Sequence, residues 1–307
     1  MKRWRWIVSV TILAALTACL AGRLNWSCAA AILRRSSALP LLAAVLVNMA
    51  SLVLRGVRWW LFLRAIGARS MSLAIRGAIV GAGFNNLLIA NGGEAARALL
   101  VARAGAVSAR AVIATVTVDR LFDPLCFTLL LFIGTFAVPL PPSLAGARLG
   151  AGAMLLGVCL LLGALVRAPK TLGAQEEGRG WRARWRGFRT CVASLSTVRR
   201  FAEAVILSIA IWSAEIATFA LAARAAHLTM PLIGDVSTML VTNAGLLLRA
   251  TPGNVGFFQV AYVLAARPFG VAAEAAIAAS LLLQLVQIVP DTLIALGLAP
   301  RMAGRAG

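Results

Sequence analysis

Ten ionisable side chains stand inside or at the edge of apolar stretches: Arg55, Arg58, Glu94, Arg97, Asp119, Arg120, Asp123, Glu215, Arg249 and Asp291. Charge is costly there, so such groups pair with one another or face a polar pathway. Arginine beside carboxylate suits holding an anionic group or passing a proton. Zinc and Ser-His-Asp chemistry are excluded because both lean on imidazole and His227 is the only histidine. Five cysteines (Cys19, Cys28, Cys126, Cys159, Cys191) are scattered without a CxxC pair, so no metal or redox centre is expected. The chain also lacks the Gly-x-x-x-x-Gly-Lys-Ser/Thr loop, so no nucleotide cofactor is expected either.

Each position also has a structural reading. Arg55 and Arg58 can snorkel from the end of a span. Glu94 and Arg97, three apart, can form a local helix pair. Asp119 and Arg120 sit where a span begins and read as interfacial. Glu215, within Ile-Trp-Ser-Ala-Glu-Ile-Ala, suits either a pair across helices or a substrate contact. Arg249, beside Thr251-Pro252-Gly253, stands at a helix break, where a cation is placed to hold an anion.

The elements that carry these groups are set by composition. Of 307 residues, 61% are hydrophobic and only 13% charged, with a mean hydropathy of +0.90. Soluble domains run near a quarter charged, so the chain is read as an all-α polytopic membrane protein. The net charge of +20 comes from 30 Lys and Arg against ten acids, with the bases mostly between apolar runs. That is the distribution of a membrane protein's cytoplasmic loops rather than of a nucleic-acid binder. Gly178–Arg189, GRGWRARWRGFR, interleaves Trp and Arg and suits the headgroup level.

A span needs about 20 apolar residues. Candidates are Ile7–Ala21, Leu39–Leu63, Leu121–Val138, Leu149–Val166, Ala204–Ala223 and Ala272–Leu298. Two further stretches, Leu73–Ala90 and Val236–Ala250, are short and end in Gly-containing breaks followed by amphipathic pieces. Six to eight segments result, the two short ones re-entrant in the favoured topology and full spans in the alternative. With the short pair re-entrant and the N-terminus cytoplasmic, twenty of the thirty bases fall on the cytoplasmic side and six outside. Lys2, Arg3 and Arg5 before Leu16-Thr17-Ala18-Cys19 resemble a lipoprotein signal; an uncleaved first span is the favoured reading. Residues 1–307 form one membrane domain of a cell or inner membrane. The basic cytoplasmic loop 167–200 divides it into halves 1–166 and 201–307.

The two breaks match in layout. Asn85-Asn86 through Gly92-Gly93-Glu94 and Leu248-Arg249 through Gly256 and Gln259 both close a short apolar stretch and end on an acid or its amide. Arg120 and Gln284 then follow at nearly equal distances, with Asp123 and Asp291 beyond them. The spacing suggests a duplication, inverted in this topology, as transporters use to build central sites.

Four motifs in this order resemble the flippase-like transmembrane domain of lysylphosphatidylglycerol synthases. They are Arg55-Gly-Val-Arg58-Trp59-Trp60-Leu61, Asn86 to Arg97, Asp119-Arg120-Leu-Phe-Asp123, and Thr251-Pro252-Gly253-Asn254-Val-Gly256-Phe-Phe-Gln259. The resemblance runs over about residues 5–300. Ile89, Asn91, Asn254, Gln259 and Gln284 depart from its usual Pro, Arg, Gly, Glu and Arg.

The resemblance implies a translocase that moves an anionic lipid, or a lipid linked to polyprenyl phosphate, between leaflets. With the chain ending at Gly307, the soluble lysyl-transferring domain is not expected. The headgroup groove is assigned to Arg58, Asn86, Glu94, Arg97, Arg120, Asp123, Arg249, Pro252, Gly253, Gly256 and Gln259. Ion or proton coupling is assigned to Glu215, Asp291 and, at the first break, Glu94. Membrane lipids are the expected partners, nucleic acid is not, and biosynthetic enzymes are further candidates. The alternatives are an accessory subunit of a lipid or glycan pathway and a membrane-embedded headgroup or glycosyl transferase.

Overall fold

A computed structural model describes residues 26–87, 92–105, 107–137, 146–167, 198–245 and 256–303. Among them the secondary structure is helical, as the composition predicts. The helices are α1 (Trp26–Arg34), α2 (Ala38–Leu63), α3 (Met71–Leu87), α4 (Gly92–Ala104), α5 (Ala109–Ala137), α6 (Gly146–Arg167), α7 (Val198–Ala225), α8 (Leu232–Gly245), α9 (Phe257–Ala266) and α10 (Ala273–Ala303). The expected first span Ile7–Ala21 and most of the basic loop, residues 168–197, lie outside the described residues.

Among the described residues three stretches are long and apolar enough to cross a membrane: Ala38–Ile66, Arg199–Ala225 and Ala273–Pro300. They coincide with three spans expected from sequence. The candidate Leu149–Val166 falls within α6, and all but the last residue of Leu121–Val138 within α5. At 29 residues α5 rises about 44 Å, but Asp119, Arg120 and Asp123 interrupt its apolar run. Leu39, Leu42, Leu46 and Val53 recur along one side of α2 and are exposed, a row suited to lipid.

The two odd stretches are short helices. α3 has 17 residues and α8 has 14, and each is followed by a shorter one, α4 with 13 and α9 with 10. At 1.5 Å per residue all four fall short of a bilayer core about 30 Å thick. A Cβ on Gly77 would lie 2.5 Å from Val101, and one on Gly81 2.7 Å from Arg97. Moving four residues up α3 thus moves four residues down α4, so the two are antiparallel. The missing side chains at Gly77 and Gly81 let the helices meet this closely. α8 and α9 likewise pack on one another.

The order long, short, short, long occurs twice: α2 to α5 with 26, 17, 13 and 29 residues, and α7 to α10 with 28, 14, 10 and 31. The chain divides into two compact units, each drawing on both sides of the basic loop. One comprises Met1–Met49, Asn85–Asn91 and Ala214–Thr292; the other comprises Ala50–Phe84, Gly92–Ser213 and Leu293–Gly307. In the second unit the core is Trp59, Phe62, Val101, Val112 and Phe122. In the first, Phe219 lies between Phe258 and Tyr262, with ring centroids 6.3 Å away in each case.

Candidate functional site

The second unit brings six charged side chains from three helices into a closed ring. Arg58 of α2 reaches Asp119 Oδ1 through Nε and Asp123 Oδ1 through Nη2, both at 2.8 Å. Arg97 of α4 reaches Asp119 Oδ2 at 3.5 Å and Glu94 Oε2 at 2.7 Å. Arg120 of α5 pairs with Glu94 and, at 3.0 Å, with Asp123 Oδ2. Each arginine therefore bridges two carboxylates, and each carboxylate bridges two arginines. Three positive and three negative charges cancel.

Helical spacing explains how so few elements suffice. Glu94 and Arg97 lie three apart on α4, while Asp119 and Asp123 lie four apart on α5, so each pair shares a face. Arg58 spends its remaining nitrogen on Ser208 Oγ of α7, 2.9 Å away. The Arg97 guanidinium lies 4.5 Å from the centre of the Trp59 ring, a cation–π contact strengthened by the lack of water. Trp59 is fixed in turn by its Nε1 donating to Thr115 Oγ1 at 2.9 Å. Pro124 ends the ring's segment of α5; its lost N–H leaves the Arg120 carbonyl without its helical donor.

Exposure separates the members. Five side chains are at most 19% exposed, whereas Arg120 is 42% exposed. Arg120 is the most exposed member of the ring.

The ring revises three structural readings. Arg58 does not snorkel, being buried and bonded three times. Glu94 and Arg97 are a local pair, but one built into a larger circuit. Asp119 does not stand alone where a span begins; it is buried between two arginines. Its i, i+4 relation to Asp123 was the signal that could have placed it. Ser208 and Trp59 carried no comparable signal.

In the first unit the corresponding positions hold amides. Glu94 and Gln259 are each the third residue of the second short helix, and Arg120 and Gln284 each the twelfth of the following long one. Where Glu94 pairs with Arg120, Gln259 Nε2 donates to Gln284 Oε1. The fifteenth residues also correspond. Asp123 bonds to Arg58 of α2, and Gln287 Nε2 donates to Glu215 Oε1 of α7 at 3.0 Å. Matched positions make matched contacts, which supports the duplication beyond spacing alone. Gly256 caps α9 at φ 90°, a conformation glycine adopts freely, and its N–H donates to Gln259 Oε1 at 2.7 Å.

Asp291 is not the counterpart of Asp123, as its place in the sequence had suggested. Asn48 Nδ2 donates to Asp291 Oδ1 at 3.0 Å and lies 3.5 Å from the Val286 carbonyl. That carbonyl is the one Pro290 leaves without a helical donor, so Asn48 and Asp291 mend a break in α10. Asn86 lies in α3 and in the first unit, with its buried Nδ2 unbonded among the described residues. Arg249, Pro252 and Gly253 lie outside the described residues. Among the described residues no cluster of His, Cys, Asp or Glu has the make-up of a metal site.

Apolar helices, two pairs of short helices and a buried charge circuit fit an all-α polytopic membrane protein. The chain belongs to the family of lysylphosphatidylglycerol synthase transmembrane regions, whose model matches residues 6–295. No curated protein matches it. It is thus a membrane domain of a family associated with lipid biosynthesis and flipping.

Proposed function

We propose that this chain carries an amphipathic lipid with an anionic headgroup from one leaflet to the other, with Arg120 as the headgroup contact of the first half. The exposure of Arg120 within an otherwise buried circuit carries this reading. A phosphate arriving at Arg120 replaces one carboxylate with another oxyanion of similar geometry, so the guanidinium is never left bare. Glu94 and Asp123 keep their bonds to Arg97 and Arg58 while that exchange occurs. The acyl or prenyl tails meanwhile remain in lipid against the apolar outer rows. Arg249, at the second break, is the second phosphate contact in this reading.

Neutrality of the circuit favours a second reading, an accessory subunit in which the ring only clasps helices. Reconstitution separates the two. Purified protein in liposomes should accelerate leaflet exchange of labelled phosphatidylglycerol or polyprenyl phosphate, and Arg249→Ala should slow it with the folded yield intact. No acceleration with either lipid sinks the translocase reading.

A further inference from the structure

In the first unit two acids are buried, Asp291 and Asp235, and Glu215 is half-buried. Two of them hold an amide donor, Gln287 on Glu215 and Asn48 on Asp291. Asp235 differs. It is 5% exposed, in the first turn of α8, and its Oδ1 has no hydrogen-bond donor among the described residues. On the neighbouring helix α9, the hydroxyl of Tyr262 is likewise buried and unbonded among the described residues. Tyr262 is the only tyrosine of the chain.

The two groups stand on helices that pack on one another. Their surroundings are apolar: Phe219 stacks on Tyr262, and the Phe269 ring packs against Gly234, the residue before Asp235. The charged and titratable groups acting on Asp235 are Arg224, exposed near the end of α7, and Tyr262 of α9. A carboxylate with a buried oxygen that no donor reaches is penalised by lost hydration, whereas the neutral acid is penalised less and brings a hydrogen to donate. A buried polar group without a partner calls for an explanation, and two of them stand on this one helix pair.

We propose that Asp235, together with Tyr262, is a proton-binding site on the α8–α9 pair, and that its occupancy couples lipid movement to a proton gradient. The step is a protonation: the carboxylate takes one proton from the aqueous side and returns it when α8 and α9 shift. The site stands on the two orphaned groups alone; only the coupling rests on the translocase reading. It also supplies a driving force in a chain whose sequence carries no nucleotide-binding loop.

Two measurements on the full chain test it. First, the thermal midpoint in detergent is followed between about pH 5 and pH 8. The native protein should lose stability as pH rises and Asp235 gives up its proton, and Asp235→Asn, a mimic of the neutral acid, should abolish that slope. Tyr262→Phe should keep the fold and shift the transition along the pH axis. An Asp235→Asn slope equal to the native one overturns the proton site.

Second, exchange of phosphatidylglycerol is followed in vesicles with and without a pH difference. The native rate should change by up to about tenfold per pH unit, the limit for one proton, and the Asp235→Asn rate should ignore the gradient. Native exchange that is indifferent to the gradient overturns the coupling. Absence of any exchange, with the pH-dependent midpoint present, overturns the translocase reading and leaves the proton site standing.

Discussion

The ring around Arg58 and the amide pair of Gln259 and Gln284 occupy matching places in the two halves, yet they hold their helices by opposite means. The ring joins α2, α4 and α5 through six full charges in a nearly dry setting. Such circuits cost hydration and repay it only while the buried partners are all present. The amide pair joins α9 to α10 through neutral groups. It gives up strength and gains independence, since losing one amide strands no charge. One half is therefore brittle and, in the translocase reading, exchanges partners with an anion; the other is a clasp.

The largest expected effect comes from breaking the brittle half. Arg58→Met removes the one guanidinium bonded to Asp119, Asp123 and Ser208 together, leaving two buried carboxylates short of a partner. The loss should be about 3–5 kcal/mol, seen as a collapse of folded yield in size-exclusion chromatography. Adding Asp119→Asn should recover part of it. An Arg58→Met protein as stable as the native one would mean that the ring contributes no stability.

Charging the neutral half is next. Gln284→Arg or Gln259→Glu alone places an unpaired charge where an amide was satisfied, and each should lower stability by roughly 1–3 kcal/mol. The double variant restores the Glu–Arg arrangement of the first half. If the halves are equivalent, its coupling energy should fall within about 0.5–3 kcal/mol in a double-mutant cycle of thermal midpoints. Additive losses would deny the correspondence.

How much of this was legible beforehand depends on the range of the contact. The membrane class and the two short helices were visible because hydropathy and glycine placement act locally. Arg58, Glu94, Arg97, Arg120 and Asp123 were visible as charges with no business in apolar sequence. Their closure into a ring was not, because it depends on how α2, α4 and α5 pack. The partners of Asp119 were hidden for that reason, and Asp291 was misjudged because the Val286 carbonyl that Pro290 orphans lies 238 residues from Asn48. Asp235 and Tyr262 stood out in no local pattern; only packing shows that neither has a partner among the described residues.

A smaller effect separates clasp from site in the second half. Asn48→Leu removes the donor to Asp291 and to the Val286 carbonyl, at a cost of about 1–3 kcal/mol. If Asp291 serves only to mend α10, Asn48→Leu/Asp291→Leu should regain stability, and lipid exchange by that protein should match the native rate. Loss of exchange in a stable double variant would return Asp291 to the working groups.

The smallest effect on stability should come from Arg120→Gln, and it is the sharpest on function. Its side chain is the exposed member of the ring, so its pairs are partly solvated and worth at most about 1 kcal/mol to the fold. Without it, Glu94 still holds Arg97 and Asp123 still holds Arg58, and the helices stay joined. A phosphate, however, loses its cation and meets two carboxylates instead. Exchange of phosphatidylglycerol should then slow by about tenfold or more, the worth of a hydrogen bond to a charged group. Arg120→Lys should recover part of the rate, since an ammonium still attracts phosphate but offers no fork. If Arg120→Gln melts with the native protein and moves lipid at the native rate, the ring is a clasp in both halves and the headgroup contact must be sought elsewhere.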